Sequence, residues 1–327
     1  MKRSAAGLAA VVVLGFLLPT PAAVAAQQPA KVPRLGVLLF GTPQTEPGLP
    51  AFLQDLQGLG YAEGQTIAIE YRFAEGRPER LPDLAADLVR LKPDAIFAVG
   101  GDVVLVAKRA TGTIPIVGTM SNDPVQSGLV TSLGRPGGNL TGITMVYDEL
   151  AGKTVELLRE AAPRVSRVAV LWNPDHADPE FRETQRAARI LAVRLQSLEV
   201  RQAGDFEGAF QAATRERAEA LIVVTSRVML LNRQRIADFA TKHRLILVGG
   251  WGPWAQLGGL LTYGPNNADM WRRAATHVAK ILRGAKPADL PVEQPTRFEL
   301  VINMKTAKAL GITFPPSIMV RADQVIE

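Results

Sequence analysis

The sequence predicts an α/β protein of two lobes, each built on a parallel sheet with helices on both faces. Three observations carry that prediction. Short continuous apolar runs, such as 34–40 and 95–99, mark strands buried on both faces. Between them apolar residues recur at helical spacing, as at Leu81, Leu84, Leu88 and Leu91. The alternation pauses at the breaker-dense segment Ser132-Leu-Gly-Arg-Pro-Gly-Gly-Asn139 and then restarts.

Taken in order, the run 34–40 leads into a stripe of Leu49, Phe52, Leu53, Leu56 and Leu59 that Gly60 ends. Residues 66–73 alternate, with Ile67, Ile69 and Tyr71 on one side. The helix at 81–91 closes at Lys92-Pro93, and strand 95–99, helix 103–110 and strand 114–117 follow. Strand 141–146 leads out of the first lobe. The second lobe repeats the rhythm: helix 149–161 and strand 168–172, helix 179–195 and strand 196–201, helix 206–216 and strand 220–225, helix 232–243 and strand 245–248. Tyr263-Gly264-Pro265 reads as a break. A long amphipathic helix spans 268–283, with Trp271, Ala275, Val278 and Leu282 at helical spacing. Gly284-Ala-Lys-Pro287 and Leu290-Pro291 punctuate before strand 298–303 and helix 305–310. A chain that crosses between lobes several times produces such a tail.

The N-terminus reads as an address. Lys2 and Arg3 precede an apolar run from 5 to 18, the break Pro19-Thr20-Pro21 and small residues up to Ala26. This is the pattern of a cleavable signal peptide over 1–26, and it implies a periplasmic or secreted protein. An uncleaved N-terminal anchor is the other reading, although the run falls short of the ~20 residues that span a bilayer. The 327-residue chain has no cysteine, which removes thiol catalysis, disulfides, Cys-based zinc sites and a lipid anchor on cysteine. The formal charge is +6, but basic residues are scattered among acids, as in Arg215-Glu216-Arg217, so nucleic acid is not an expected partner. The roughly 300 residues left after cleavage divide naturally into two domains.

Several blocks resemble a known family. They are Glu75-Gly-Arg-Pro-Glu-Arg-Leu-Pro82, Ile114-Pro-Ile-Val117, Asp123-Pro124 with Ser127-Gly-Leu129, Arg135-Pro-Gly-Gly-Asn139 and Arg167-Val-Ala-Val-Leu-Trp-Asn-Pro174. Tyr263-Gly-Pro-Asn266, Gly284-Ala-Lys-Pro-Ala-Asp-Leu-Pro291 and Phe298-Glu-Leu-Val-Ile-Asn303 continue the likeness. Together they resemble the ABC transporter substrate-binding proteins related to tryptophan/tyrosine uptake, over nearly all of the mature chain. The resemblance implies the type I periplasmic-binding-protein fold: two Rossmann-like lobes joined by a three-crossover hinge, with ligand in the cleft. It places crossovers near 144–148, 262–265 and 295–298. The N-terminal lobe is expected over 34–145 with 266–295, and the C-terminal lobe over 146–265 with 296–327. It also implies a permease and an ATPase as partners of a monomeric receptor for a small, amino-acid-like solute, with no cofactor.

Open parallel sheets bind ligands beyond the C-terminal ends of their strands. That rule selects the candidate ligand-binding residues. Thr42 follows the first strand, as a hydroxyl donor or as part of an ordinary turn. Gly101 and Asp102 follow strand 95–99, where the family often shows Gly-Thr-Pro; Asp102 suits a ligand ammonium or a helix cap. Thr119, Ser121 and Asn122 cluster after 114–117. In the second lobe the candidates are Asn173, or a turn there, then Thr225 and Ser226, with Arg227 beside them as a carboxylate partner or a surface residue. Trp251, with Trp254, suits a stacked planar ligand or the core, and Asn266 suits the hinge side of the cleft.

Catalytic signatures are not found. The three histidines, His176, His243 and His277, make no HExxH pair. Gly-x-Ser-x-Gly, a phosphate loop and Gly-x-Gly-x-x-Gly after the first strand do not occur. The expectation is a solute receptor and not an enzyme. A ligand-sensing subunit for a membrane receptor, or an enzyme on a Rossmann-like scaffold, are the alternatives.

Overall fold

The strand–helix repeats of the chain build two sheets. A computed structural model describes residues 32–327 except Pro47, Asn122, Ala177, Asp178 and Trp251, and the side chain of Asp148. The signal peptide expected over 1–26 lies outside the described residues.

The first sheet comes from β1 (Arg34–Leu39), α1 (Leu49–Gly58), β2 (Ala68–Phe73), α2 (Leu81–Arg90), β3 (Ala95–Val99), α3 (Gly101–Ala110), β4 (Ile116–Met120) and β5 (Leu140–Thr144). The chain continues through α4 (Tyr147–Ala161), β6 (Arg167–Trp172), α5 (Glu180–Ile190), β7 (Arg194–Glu199), α6 (Phe206–Arg215), β8 (Ala220–Val223), α7 (Arg227–Leu231), α8 (Arg233–Lys242), β9 (Ile246–Gly249) and α9 (Pro253–Gln256). It ends with β10 (Leu261–Pro265), α10 (Asn267–Leu282), β11 (Phe298–Asn303), α11 (Met304–Leu310), α12 (Pro316–Arg321) and β12 (Gln324–Ile326).

The strand order is β2-β1-β3-β4-β5 in the first sheet and β12-β11-β10-β9-β8-β6-β7 in the second. All pairs are parallel except β10 with β11. Each sheet is covered on both faces, which is why its central strands are apolar runs, while the edge strands β2 and β7 carry polar residues between apolar ones. On the first sheet, α1 and α10 bury Phe52, Trp271 and Val278 against Val37 and Phe97. Phe52 and Phe97 stack at 4.3 Å, and Trp271 meets both edge-on. Helices α2 and α3 cover the other face with Leu81, Leu88 and Val104. On the second sheet, α4 and α5 cover one face and α6 and α8 the other.

Helix α10 follows β10 of the second sheet yet packs on the first. The chain therefore passes between lobes at 144–147, at 265–267, and again between 282 and 298. This is the two-lobed α/β architecture with a three-crossover hinge that the alternation and the resemblance imply.

Three local expectations are corrected. Tyr263-Gly264-Pro265 is the end of β10, not a break, because antiparallel pairing with β11 needs nothing from the missing N–H of the terminal proline. The helix read over 179–195 stops at Ile190: Ala192 turns left-handed at φ 54, and the edge strand β7 begins at Arg194. Strand β4 runs on to Met120, so Thr119 belongs to the strand.

Glu219 pins the start of β8 to β6. Its carboxylate accepts from the Ser166 and Arg167 backbone N–H groups at 2.8 and 2.9 Å and from the Arg167 guanidinium at 2.7 Å. Burial opposes its ionisation, but these donors outweigh it and hold the carboxyl below the usual range. A depressed value in the folded state means stabilisation present above the ordinary Glu value near ~4.3 and lost as pH falls through the folded one. Glu219→Gln is expected to flatten the acid limb of a urea-midpoint profile. An acid limb identical to wild type would refute this role.

Candidate functional site

The C-terminal ends of both parallel sheets face one cavity of about 340 Å³. Phe40, Gly100 and Ser121 line it from the first lobe, and Thr225, Arg227 and Pro253 from the second. Strand ends converge here because every parallel strand delivers its following loop to the same edge. Tyr147 and Trp271 add aromatic wall. Trp271 reaches the cavity because Gly48 has no side chain: a Cβ there would stand 1.9 Å from the indole Nε1.

Among the described residues, two side-chain clusters join the lobes across the cavity. Arg227, at the start of α7, donates through Nη1 to both oxygens of Glu46 at 3.2 and 3.3 Å and through Nη2 to the Val99 carbonyl. The pair is withdrawn from water, with side-chain exposures of 15% for Arg227 and 4% for Glu46. Glu46 is further held by the Gly41 N–H at 3.0 Å. Gly100 makes room for the guanidinium. Its φ is +101°, and a Cβ there would lie 2.6 Å from Arg227 Nε.

The second contact is His176, in the loop after β6. Its Nδ1 lies 3.1 Å from Asp102 Oδ2 and its Nε2 lies 3.2 Å from Ser121 Oγ. A carboxylate only accepts, so Nδ1 donates to Asp102, and Nε2 shares a hydrogen bond with the Ser121 hydroxyl. The same residue types and spacing make a hydrolytic triad. Here the Asp102 side chain is 46% exposed, so water competes for the carboxylate that would have to orient and polarise the imidazole.

Two further features are recognition-competent. Thr225 Oγ1 is buried in the wall of the cavity and has no hydrogen-bond partner among the described residues. An orphan hydroxyl costs free energy until something polar meets it. Asn266 caps α10, its Oδ1 accepting from Asp269 N–H at 2.7 Å, while its Nδ2 donates to Glu299 Oε1 at 2.5 Å. Asn267 and Ala268 line the cavity from the first turn of this 16-residue helix, where backbone N–H groups and the dipole favour an anion.

Of the residues selected from sequence, Gly101, Ser121, Thr225, Ser226 and Asn266 reach the cavity wall. Thr42 does not. Its N–H and hydroxyl are engaged by the hydroxyl of Thr45, which lines the cavity in its place. Thr119 is 1% exposed inside β4, where it meets the Gly100 N–H. Asp102 stands behind His176, one layer out, and Gly100 is the cap residue of α3. Asn173 closes a turn by accepting from Asp175 N–H at 2.9 Å. Trp254 is core, 1% exposed under α6 and α8. Asn122 and Trp251 lie outside the described residues. Glu46, Tyr147, His176, Trp271 and Glu299 were not selected. Apart from Glu299, which lies in β11, they come from loops and the first turns of helices, whose approach to the strand ends carries no local pattern.

Two α/β lobes closing on a shared, largely preformed cavity define a protein that captures a small solute between its lobes. The chain belongs to the family described as ABC transporter substrate binding protein, which it matches over residues 46–326. It is 24% identical over 272 residues to a tyrosine-binding protein of Clostridioides difficile strain R20291, covering 83% of this chain and 78% of the relative. Among solved structures it is similar to a conserved domain protein of Vibrio cholerae, with TM-score 0.83 and 26% identity over 90% of this chain and 100% of that one. It is equally similar, at TM-score 0.83 and 24% identity, to an ABC domain in complex with L-Trp from Streptococcus pneumonia, covering 90% and 99% of the two chains.

Proposed function

We propose that this chain is the extracytoplasmic receptor of an ABC importer and that it captures an aromatic amino acid by closing its lobes. The observation that carries the reading is the cavity between the two sheets, about 340 Å³, within the ~300–1,000 Å³ span of small-molecule sites. Phe40, Tyr147 and Trp271 offer it a flat apolar wall, and the α10 N-terminus offers N–H groups to a carboxylate. The tyrosine named for one relative and the L-Trp in another fit that chemistry.

The receptor hands its solute to a permease powered by an ATPase, works as a monomer, and binds without covalent change. The N-terminal pattern supports export into the periplasm. Among the described residues no helix is long and apolar enough to cross a membrane.

A thermal-shift series with L-tyrosine, L-tryptophan and neutral sugars tests the reading. Ligand at 100 times its Kd adds about 2.7 kcal/mol, which raises Tm by about 5 °C in a chain of this size. Stabilisation by a sugar and by neither amino acid would overturn it. A fluorophosphonate probe on the same sample is expected to leave Ser121 unlabelled; labelling there would establish the enzyme reading.

A further inference from the structure

We infer that Glu299 is the acceptor for a ligand ammonium group, held on a mount that joins two of the inter-lobe passages. The inference rests on the reading of the cavity as a site for an amino-acid-like solute.

Charge bookkeeping along the wall leads to it. Among the described lining residues the full charges are Glu46, Arg227 and Glu299. Glu46 and Arg227 neutralise each other across the cleft. Glu299 is left without a cation. One of its oxygens accepts from Asn266 Nδ2 at 2.5 Å, and the other has no partner among the described residues. A carboxylate enclosed by lobe closure is costly unless a cation joins it. A sugar supplies none, and a dicarboxylate adds repulsion. A primary ammonium supplies both the charge and N–H donors.

The mount gives this contact leverage on closure. Glu299 is the second residue of β11, paired with Gly264 of β10. Asn266 follows β10 directly and caps α10, which packs on the other lobe. The Asn266–Glu299 hydrogen bond therefore ties the segment leaving the second lobe to the segment returning to it. A cation seated on Glu299 loads both strands at once.

Isothermal titration of wild type, Glu299→Gln and Glu299→Asp tests the assignment. The probes are L-tyrosine, 3-(4-hydroxyphenyl)propionate, which lacks the ammonium, and tyramine, which lacks the carboxylate. Glu299→Gln is expected to weaken L-tyrosine about 100-fold and to leave the des-amino acid within about threefold of wild type. Glu299→Asp, which keeps the charge, should recover part of the loss. Unchanged discrimination between L-tyrosine and its des-amino analogue in Glu299→Gln would overturn the assignment while leaving the amino-acid reading intact. Tyramine binding that depends on Glu299, with L-tyrosine not bound, would overturn the amino-acid reading and keep the assignment. Wild type binding the des-amino acid alone, or none of the three, counts against both. Circular dichroism and Tm of the variants show that each is folded.

Discussion

Arg227→Ala is expected to raise the Kd of the captured solute by about 100-fold and to expand the protein in solution. In an open form Arg227 and Glu46 are each hydrated, so removing the arginine costs little there. In the closed form the same removal strands the Glu46 carboxylate, 4% exposed, with the Gly41 N–H as its remaining donor among the described residues. Breaking one side of a buried pair costs about 3–5 kcal/mol. That penalty falls on the closed state alone, and affinity drops in proportion to the closed fraction. Titration calorimetry reads the Kd, and small-angle scattering with saturating ligand reads the radius of gyration. Glu46→Gln should behave similarly, and the double variant should lose less than the sum. If Arg227 instead gripped a ligand carboxylate, the loss would vanish for tyramine. A Kd and radius equal to wild type would refute the latch.

Gly142→Ala is expected to be among the most damaging single-methyl changes in the fold. Gly142 pairs with Gly118 across β4 and β5. Its φ is +141°, and an added Cβ would sit 1.9 Å from the Gly118 carbonyl oxygen. Both obstacles are backbone. No rotamer relieves them, so the two strands must separate just before the first passage between lobes. Strain of this kind belongs with the few mechanisms that exceed ~4 kcal/mol. Urea denaturation should show a midpoint far below wild type or no folded protein. Gly60→Ala provides the control, because its φ of +98° is strained but its Cβ would meet open space; there the loss should be about 1 kcal/mol. Equal losses at the two positions would show that the β4–β5 contact is not the cause.

Much of the molecule is legible in its sequence because parallel sheets impose simple local demands. A strand covered on both faces must be apolar along its buried length, as 35–39 and 95–99 are, and a covering helix must carry a 3.6-residue stripe, as Leu81, Ala85 and Leu88 do. The same geometry sends every strand's C-terminal end to one edge, which is why the sequence alone points Ser121, Thr225, Ser226 and Asn266 toward the cavity wall that they line. Thr42 and Asn173 obeyed the same rule and missed, because each side chain found a nearer partner in its own turn.

What the tertiary structure alone decided is the polarity of the cleft. Arg227 and Glu46 lie 181 residues apart, and no local pattern tells a guanidinium which lobe it will enter. The stripe of α10 announces a buried face without naming the sheet that buries it, so Trp271 read as helix core and not as cavity wall. Sequence determined the two lobes, the direction of their strands and the edge where a solute sits. The chain's passages between lobes set the angle at which those edges meet, and that angle selects which side chains pair across the cleft, as Arg227 and Glu46 do.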